Sequence, residues 1–247
     1  MIQIDREKAI HRLLSDNFFT PDFRPLDEIL EAFEKQKVSV PRNRLLELIN
    51  KLRASPLEYP RDNMLREALS LLGRCRDAQD LVALEKWLDH ENEAVAMGAV
   101  RGLYHYHRFA ETIRDPWEVE NEKGWVSLTP AEKHICAIEC LNNEINNGGF
   151  TQYYFNSSGD QWADALGGLE VIGAIKHREL MLQTLQRFPE SAPSSKRSIR
   201  GEQLAKIVRK QEDPFNEQDS AWYKLKDENL DKLVLRYNLA NLQGRQK

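Results

Sequence analysis

Between Leu141 and Asp160 the chain reads LNNEINNGGFTQYYFNSSGD, which holds five Asn, three Gly and four aromatic rings. No other stretch constrains the fold as strongly. A solvated linker has no use for four rings, and a plain apolar core has none for five carboxamides, whose buried polar groups need partners. Asn is also a weak mid-helix residue, because its amide competes with the backbone. Asn142, Asn143, Glu144, Asn146 and Asn147 therefore imply tertiary hydrogen bonds, and the stretch is expected to be an ordered, partly buried polar loop following a helix.

The surroundings read as helix. The chain has 247 residues, enough for one or two domains, and its 12 Gly and 10 Pro are sparse against abundant Leu, Ala, Glu, Lys and Arg. Candidate helices in the first half are Asp5–Phe18, Pro25–Gln36, Pro41–Ala54, Asp62–Arg74, Asp77–Leu88 and Asn92–His107. Leu65, Leu69 and Leu72, then Leu81, Leu84 and Leu88, then Val95, Ala99 and Leu103 recur at helical spacing. Asp115-Pro116-Trp117 and Lys123-Gly124-Trp125 give turn signals at a junction, where the two Trp rings are expected to pack at a domain interface. A new helix opens at Thr129-Pro130-Ala131-Glu132, which has the form of a capping box, with Ile135, Ile138, Leu141 and Ile145 as its stripe. Asn147-Gly148-Gly149 is its stop signal. Further helices are expected at Asp160–Ile175, His177–Phe188, Ile199–Gln211 and Glu228–Ala240. The expected class is all-α, with domains at 1–110 and 111–247.

Charge narrows the partners. The net charge is −4; residues 1–110 carry 17 basic against 18 acidic groups and residues 111–247 carry 18 against 21. Neither half has the basic footprint of a nucleic-acid binder, and neither is dense enough in carboxylate to imitate a polyanion without help from geometry. Cys75, Cys136 and Cys140 are odd in number and form no C-x-x-C pair, which fits a reducing compartment better than a disulfide framework. The start, MIQIDREKAIHRLL, has no signal-peptide core, and no run approaches the roughly 20 apolar residues of a membrane span. The expectation is a soluble cytoplasmic protein without membrane contact.

Two resemblances follow from specific residues. Asp89-His-Glu-Asn-Glu-Ala-Val95, followed by Ala99 and Leu103, resembles the second helix of a HEAT-type repeat and implies a short HEAT-like stack over 1–110; Ala96 departs from it, since the family usually has Arg there. The stretch LNNEINNGGFTQYYFNSSGDQWADALGGLEVIGA, together with Phe215–Tyr223 and Leu230–Tyr237, resembles a bacterial family of unknown function typified by a DNA-mimic protein, number nineteen of its series. That resemblance covers about residues 111–242 and implies a helical DNA-mimic-protein-like domain that forms homodimers and docks on a transcription factor's DNA-binding face. True mimicry needs a row of carboxylates, because duplex DNA carries one charge per ~1.7 Å of axis. Here Asp213, Glu217, Asp219, Asp227, Glu228 and Asp231 are interleaved with Lys224, Lys226 and Lys232.

The favoured reading is a non-enzymatic protein–protein interaction module, binding another protein such as a transcriptional regulator, with no direct nucleic-acid contact. Its partner-binding residues are expected among the exposed members of the loop: Glu144, Asn147, Gln152, Tyr153, Tyr154 and Asn156. One alternative is strict DNA mimicry through an acidic face. Another is an enzyme using Glu144 in a polar pocket with Asp160 or Asp164 nearby, although one carboxylate does not define a reaction. His105-x-His107 and His134-x-Cys136-x-x-x-Cys140 lack a full ligand set, so no metal or cofactor is expected. Gly167, Gly168 and Gly173 lack the Lys-Ser/Thr of a phosphate loop and suit close helix packing instead. The basic run Lys196, Arg197, Arg200, Lys206, Arg209 and Lys210 reads as a solvated helix face.

Overall fold

A computed structural model describes residues 24–54, 56–112, 114–225 and 227–241. The expected helix Asp5–Phe18 and the tail after Leu242 lie outside them. Among the described residues every regular element is helical and no strand occurs, as the all-α reading requires. The chain divides after Ile113 into two compact units.

The N-terminal unit holds α1 (Arg24–Lys35), α2 (Arg42–Arg53), α3 (Arg61–Cys75), α4 (Ala78–Trp87), α5 (Glu93–Tyr106) and the single turn α6 (Phe109–Thr112). Asp77 and Asn92 start α4 and α5 by accepting the amides of Gln79 and Val95, which satisfies donors that have no partner inside the helix. The stripes legible in the sequence are the core: Leu65, Leu69 and Leu72 of α3 and Val95, Ala99 and Leu103 of α5 are all buried. The backbones of α3 and α5 approach so closely that a Cβ on Gly73 would run into the Gly102 carbonyl. Ion pairs close the unit. Arg42 grips buried Asp80 with two bonds of 2.7 Å, and Glu34 meets His105 Nε2 at 2.6 Å and Arg74 at 3.1 Å.

The C-terminal unit holds α7 (Pro116–Lys123), a 3-10 turn (Trp125–Ser127), α8 (Pro130–Phe155), a second 3-10 turn (Ser157–Gln161), α9 (Trp162–Val171), α10 (Ile175–Leu185), a third 3-10 turn (Pro189–Ser191), α11 (Arg197–Lys210), α12 (Asn216–Trp222) and α13 (Leu230–Ala240). The Asp115-Pro116 turn signal proves to be a helix start: Asp115 accepts the Trp117 amide and Pro116 occupies the first turn, a position where its missing N–H costs nothing. The indoles of Trp117 and Trp125 donate to Glu139 (3.1 Å) and Asp164 (2.9 Å) of this same unit.

Helix α8 is the central element, packed by α9, α11 and α12. Thr129 and Glu132 form the capping box that the sequence announces. Glu132 is buried and receives the Arg114 guanidinium as well. Burial pushes its carboxyl up, but Arg114 and Thr129 more than offset this and hold it below the ordinary carboxylate range. Ile135, Ile138, Leu141 and Ile145 are buried as a stripe, each contributing about 1.5–3 kcal/mol by leaving water. Gly168 of α9 lies against Ile138 and the His134 carbonyl, where a Cβ would crowd both.

Candidate functional site: the carboxamide corner

The stretch expected to be a polar loop is a bent helix. Helix α8 runs past Asn147, breaks at Gly148 and Gly149, and resumes through Phe155 before the 3-10 turn of Ser157–Gln161. The two glycines stop the helix, as Asn-Gly-Gly implies, yet the chain re-enters helix at once. A remote carboxylate explains the re-entry: Asp219 Oδ1 of α12 accepts the Phe150 amide at 2.8 Å and so caps the resumed turn. Gly149 is obligatory on two counts. Its φ of 74° with ψ of −175° belongs to a region open almost only to glycine, and a Cβ there would collide with the Asp219 carboxylate.

Glu144 holds the two arms of the bend together. Its carboxylate accepts from Gln152 Nε2 (2.7 Å), Asn156 Nδ2 (2.9 Å) and Ser158 Oγ (2.8 Å). Burial pushes the carboxyl up; the three neutral donors outweigh it and keep the group below its ordinary value. Glu144 is therefore an ionised acceptor at neutral pH with both oxygens engaged. Asp160 is bound to Arg200 at 2.6 Å and Asp164 to the Trp125 indole, so the carboxylates that an enzymatic reading would recruit each serve a separate contact.

Arg200 is the second clasp, and it corrects the reading of Lys196–Lys210 as a solvated face. Its guanidinium is completely buried and donates to the carbonyls of Tyr154, Ser194 and Asn156, each at 2.7 Å, besides Asp160. Lys206, Arg209 and Lys210 are exposed as expected. Gly159 leaves room for this clasp, since a Cβ would meet the Tyr153 carbonyl and the Arg200 side chain.

The expectation that Tyr153 and Tyr154 face outward is overturned, for both are fully buried. With Phe150 they occupy positions i, i+3 and i+4 of the resumed helix, the spacing of a core face. Tyr154 joins Phe150, Phe188 and Phe215 with ring centroids 6.2, 4.7 and 5.6 Å away. Of the other expected residues, Glu144, Gln152 and Asn156 are half-buried within the network just described, and Asn147 is exposed. Asn143 and Asn146 are exposed beside it, while Asn142 accepts from the Trp222 indole at 3.2 Å. The sequence reading passed over Phe155, which is 58% exposed with the Arg197 guanidinium 5.5 Å above its ring. The same i, i+3, i+4 pattern that buries its neighbours leaves Phe155 outside.

A family model described as DMP19-like protein matches residues 126–241, which include the bent helix and all its clasps. Residues 126–241 are thus similar to the DMP19-like family over a little under half of the chain. No curated protein and no solved structure matches the chain. Within the DMP19-like domain, the match begins just before the capping box of α8 and ends with α13. Among the described residues no group of three or more His, Cys, Asp or Glu is placed to hold a metal ion, and no helix is long and apolar enough to cross a membrane.

Proposed function

We propose that the chain is a non-enzymatic interaction protein whose DMP19-like domain docks on a DNA-binding protein, such as a transcriptional regulator. The contact is the rim of the carboxamide corner: Asn143, Asn146 and Asn147, with the outer edges of Gln152 and Asn156. The observation that carries this reading is the saturation of Glu144. A carboxylate surrounded by three neutral donors holds a shape and offers no reacting group, while the carboxamides left outside can both donate and accept across an interface. The resemblance to a DNA-mimic family supplies the class of partner.

Charge favours this over strict mimicry. Lys176 pairs with Asp227, Arg178 with Glu170 and Arg200 with Asp160. Carboxylates consumed in local pairs do not make the unbroken row that imitates a phosphate backbone.

Affinity isolation on the tagged full-length chain tests the proposal. A DNA-binding protein is expected to be captured, to leave when duplex DNA is added, and to be lost from the double variant Asn143→Arg, Asn147→Arg at unchanged melting temperature. Equal capture by that variant contradicts the rim. A capture that collapses steeply with salt marks strict mimicry instead.

A further inference from the structure

An open cleft of about 530 Å3 lies in the N-terminal unit, between Arg53 at the end of α2 and Gln79, Val82, Ala83, Lys86 and Trp87 of α4. Four of the α4 residues follow the spacing i, i+3, i+4, i+7 and so share one face of the helix. The adjoining face carries the buried Asp80 and Leu84. The cleft face is open, with Val82 54% exposed between Gln79 and Lys86.

Most arginines of this unit are paired. Arg42, Arg44, Arg66, Arg74, Arg76, Arg101 and Arg108 each reach a carboxylate. Arg53 and Lys86 pair with none among the described residues, and Arg53 instead lies 5.0 Å over the Trp87 ring. The cleft therefore combines the Val82 and Ala83 side chains, an indole wall and two cations without a carboxylate partner among the described residues, in a volume within the ordinary range of ligand sites.

We propose that this cleft takes an acidic, amphipathic peptide segment of a partner protein, with its carboxylates at Arg53 and Lys86 and an aliphatic side chain on Val82, Ala83 and Trp87. Arg is suited to carboxylate recognition because its planar fork can bind both oxygens. A nucleic-acid strand fits less well. One face of the indole is already covered by Arg53, two cations do not track a phosphate backbone, and the chain is net negative at −4. The site belongs to the other unit from the carboxamide corner, so its failure leaves the proposed function untouched.

Random peptides displayed on phage, selected against the immobilised full-length chain, provide the test. Enrichment of sequences with Asp or Glu beside Leu, Ile or Val is expected. A synthetic peptide of the enriched sequence should lose affinity by about tenfold or more with Arg53→Glu/Lys86→Glu and with Val82→Asp, while Arg53→Lys retains part of the binding. All of these positions are at the surface, and melting curves of the variants confirm the fold. Failure to enrich any sequence, enrichment of neutral or basic ones, or binding that the charge reversal leaves unchanged overturns the proposal. So does a fluorescent single-stranded oligonucleotide that binds the wild type and is lost on the same reversal.

Discussion

Tyr153 and Tyr154 are adjacent, equally buried and differently satisfied. The Tyr154 hydroxyl lies 2.7 Å from Thr184 Oγ1, and Thr184 spends its own proton on the Met181 carbonyl at 2.7 Å, so Tyr154 is the donor. The Tyr153 hydroxyl is buried without a partner among the described residues, and a buried polar group left unpaired costs about 1–3 kcal/mol. Tyr154→Phe is therefore expected to destabilise the protein by about 1 kcal/mol, and Tyr153→Phe to leave it unchanged or raise its stability. Thermal or urea unfolding of the two variants decides this; a larger loss for Tyr153→Phe contradicts the assignment. Glu144 supplies a second prediction. Because its folded-state carboxyl sits below the ordinary value of about 4.3, its stabilisation is complete above that value and is lost as pH falls through the folded one. Glu144→Gln should lower stability at pH 7, since its amide nitrogen faces donors, and should flatten the acid-side decline. A variant whose melting temperature follows the wild-type slope between pH 5 and pH 3 removes Glu144 from that linkage. At this scale the sequence made Glu144, Gln152 and Asn156 legible as members of one polar cluster, but not Ser158, nor that Asn143, Asn146 and Asn147 stay outside the Glu144 network. The expectation of a loop places Tyr153 and Tyr154 outside; as a helix from Phe150, their spacing assigns them to the core.

The bend in α8 is the element on which the corner depends. Its stop signal is local and legible in Asn147-Gly148-Gly149. Its restart is not, because the capping carboxylate comes from Asp219, 69 residues along the chain from Phe150. The same limit hid the clasp at Arg200, whose basic neighbours made it look like one more solvated charge. Gly149→Ala is expected to cost well over 1 kcal/mol, since it imposes a positive φ on an alanine and drives its Cβ into Asp219. Asp219→Ala should cost about 1 kcal/mol, the usual loss for an N-cap, and increase amide exchange at 150–152. Chemical denaturation and hydrogen exchange measure both. If Gly149→Ala is neutral, the bend is not held by this geometry.

For the whole molecule, composition established more about class than about purpose. Sparse Gly and Pro and the leucine stripes announced an all-α chain, and the two compact units divide after Ile113. A net charge of −4 did not reveal that so many carboxylates are consumed internally, because pairing depends on which helices meet. Saturated acids and exposed carboxamides together point toward recognition by shape and hydrogen bonding.

Hydrogen exchange of the full-length chain, alone and in complex with the DNA-binding protein it captures, tests the central claim most directly. Added protection is expected at amides around 142–149 and 152–157 and nowhere else. Protection that appears only elsewhere, with the carboxamide corner exchanging as in the free protein, contradicts it.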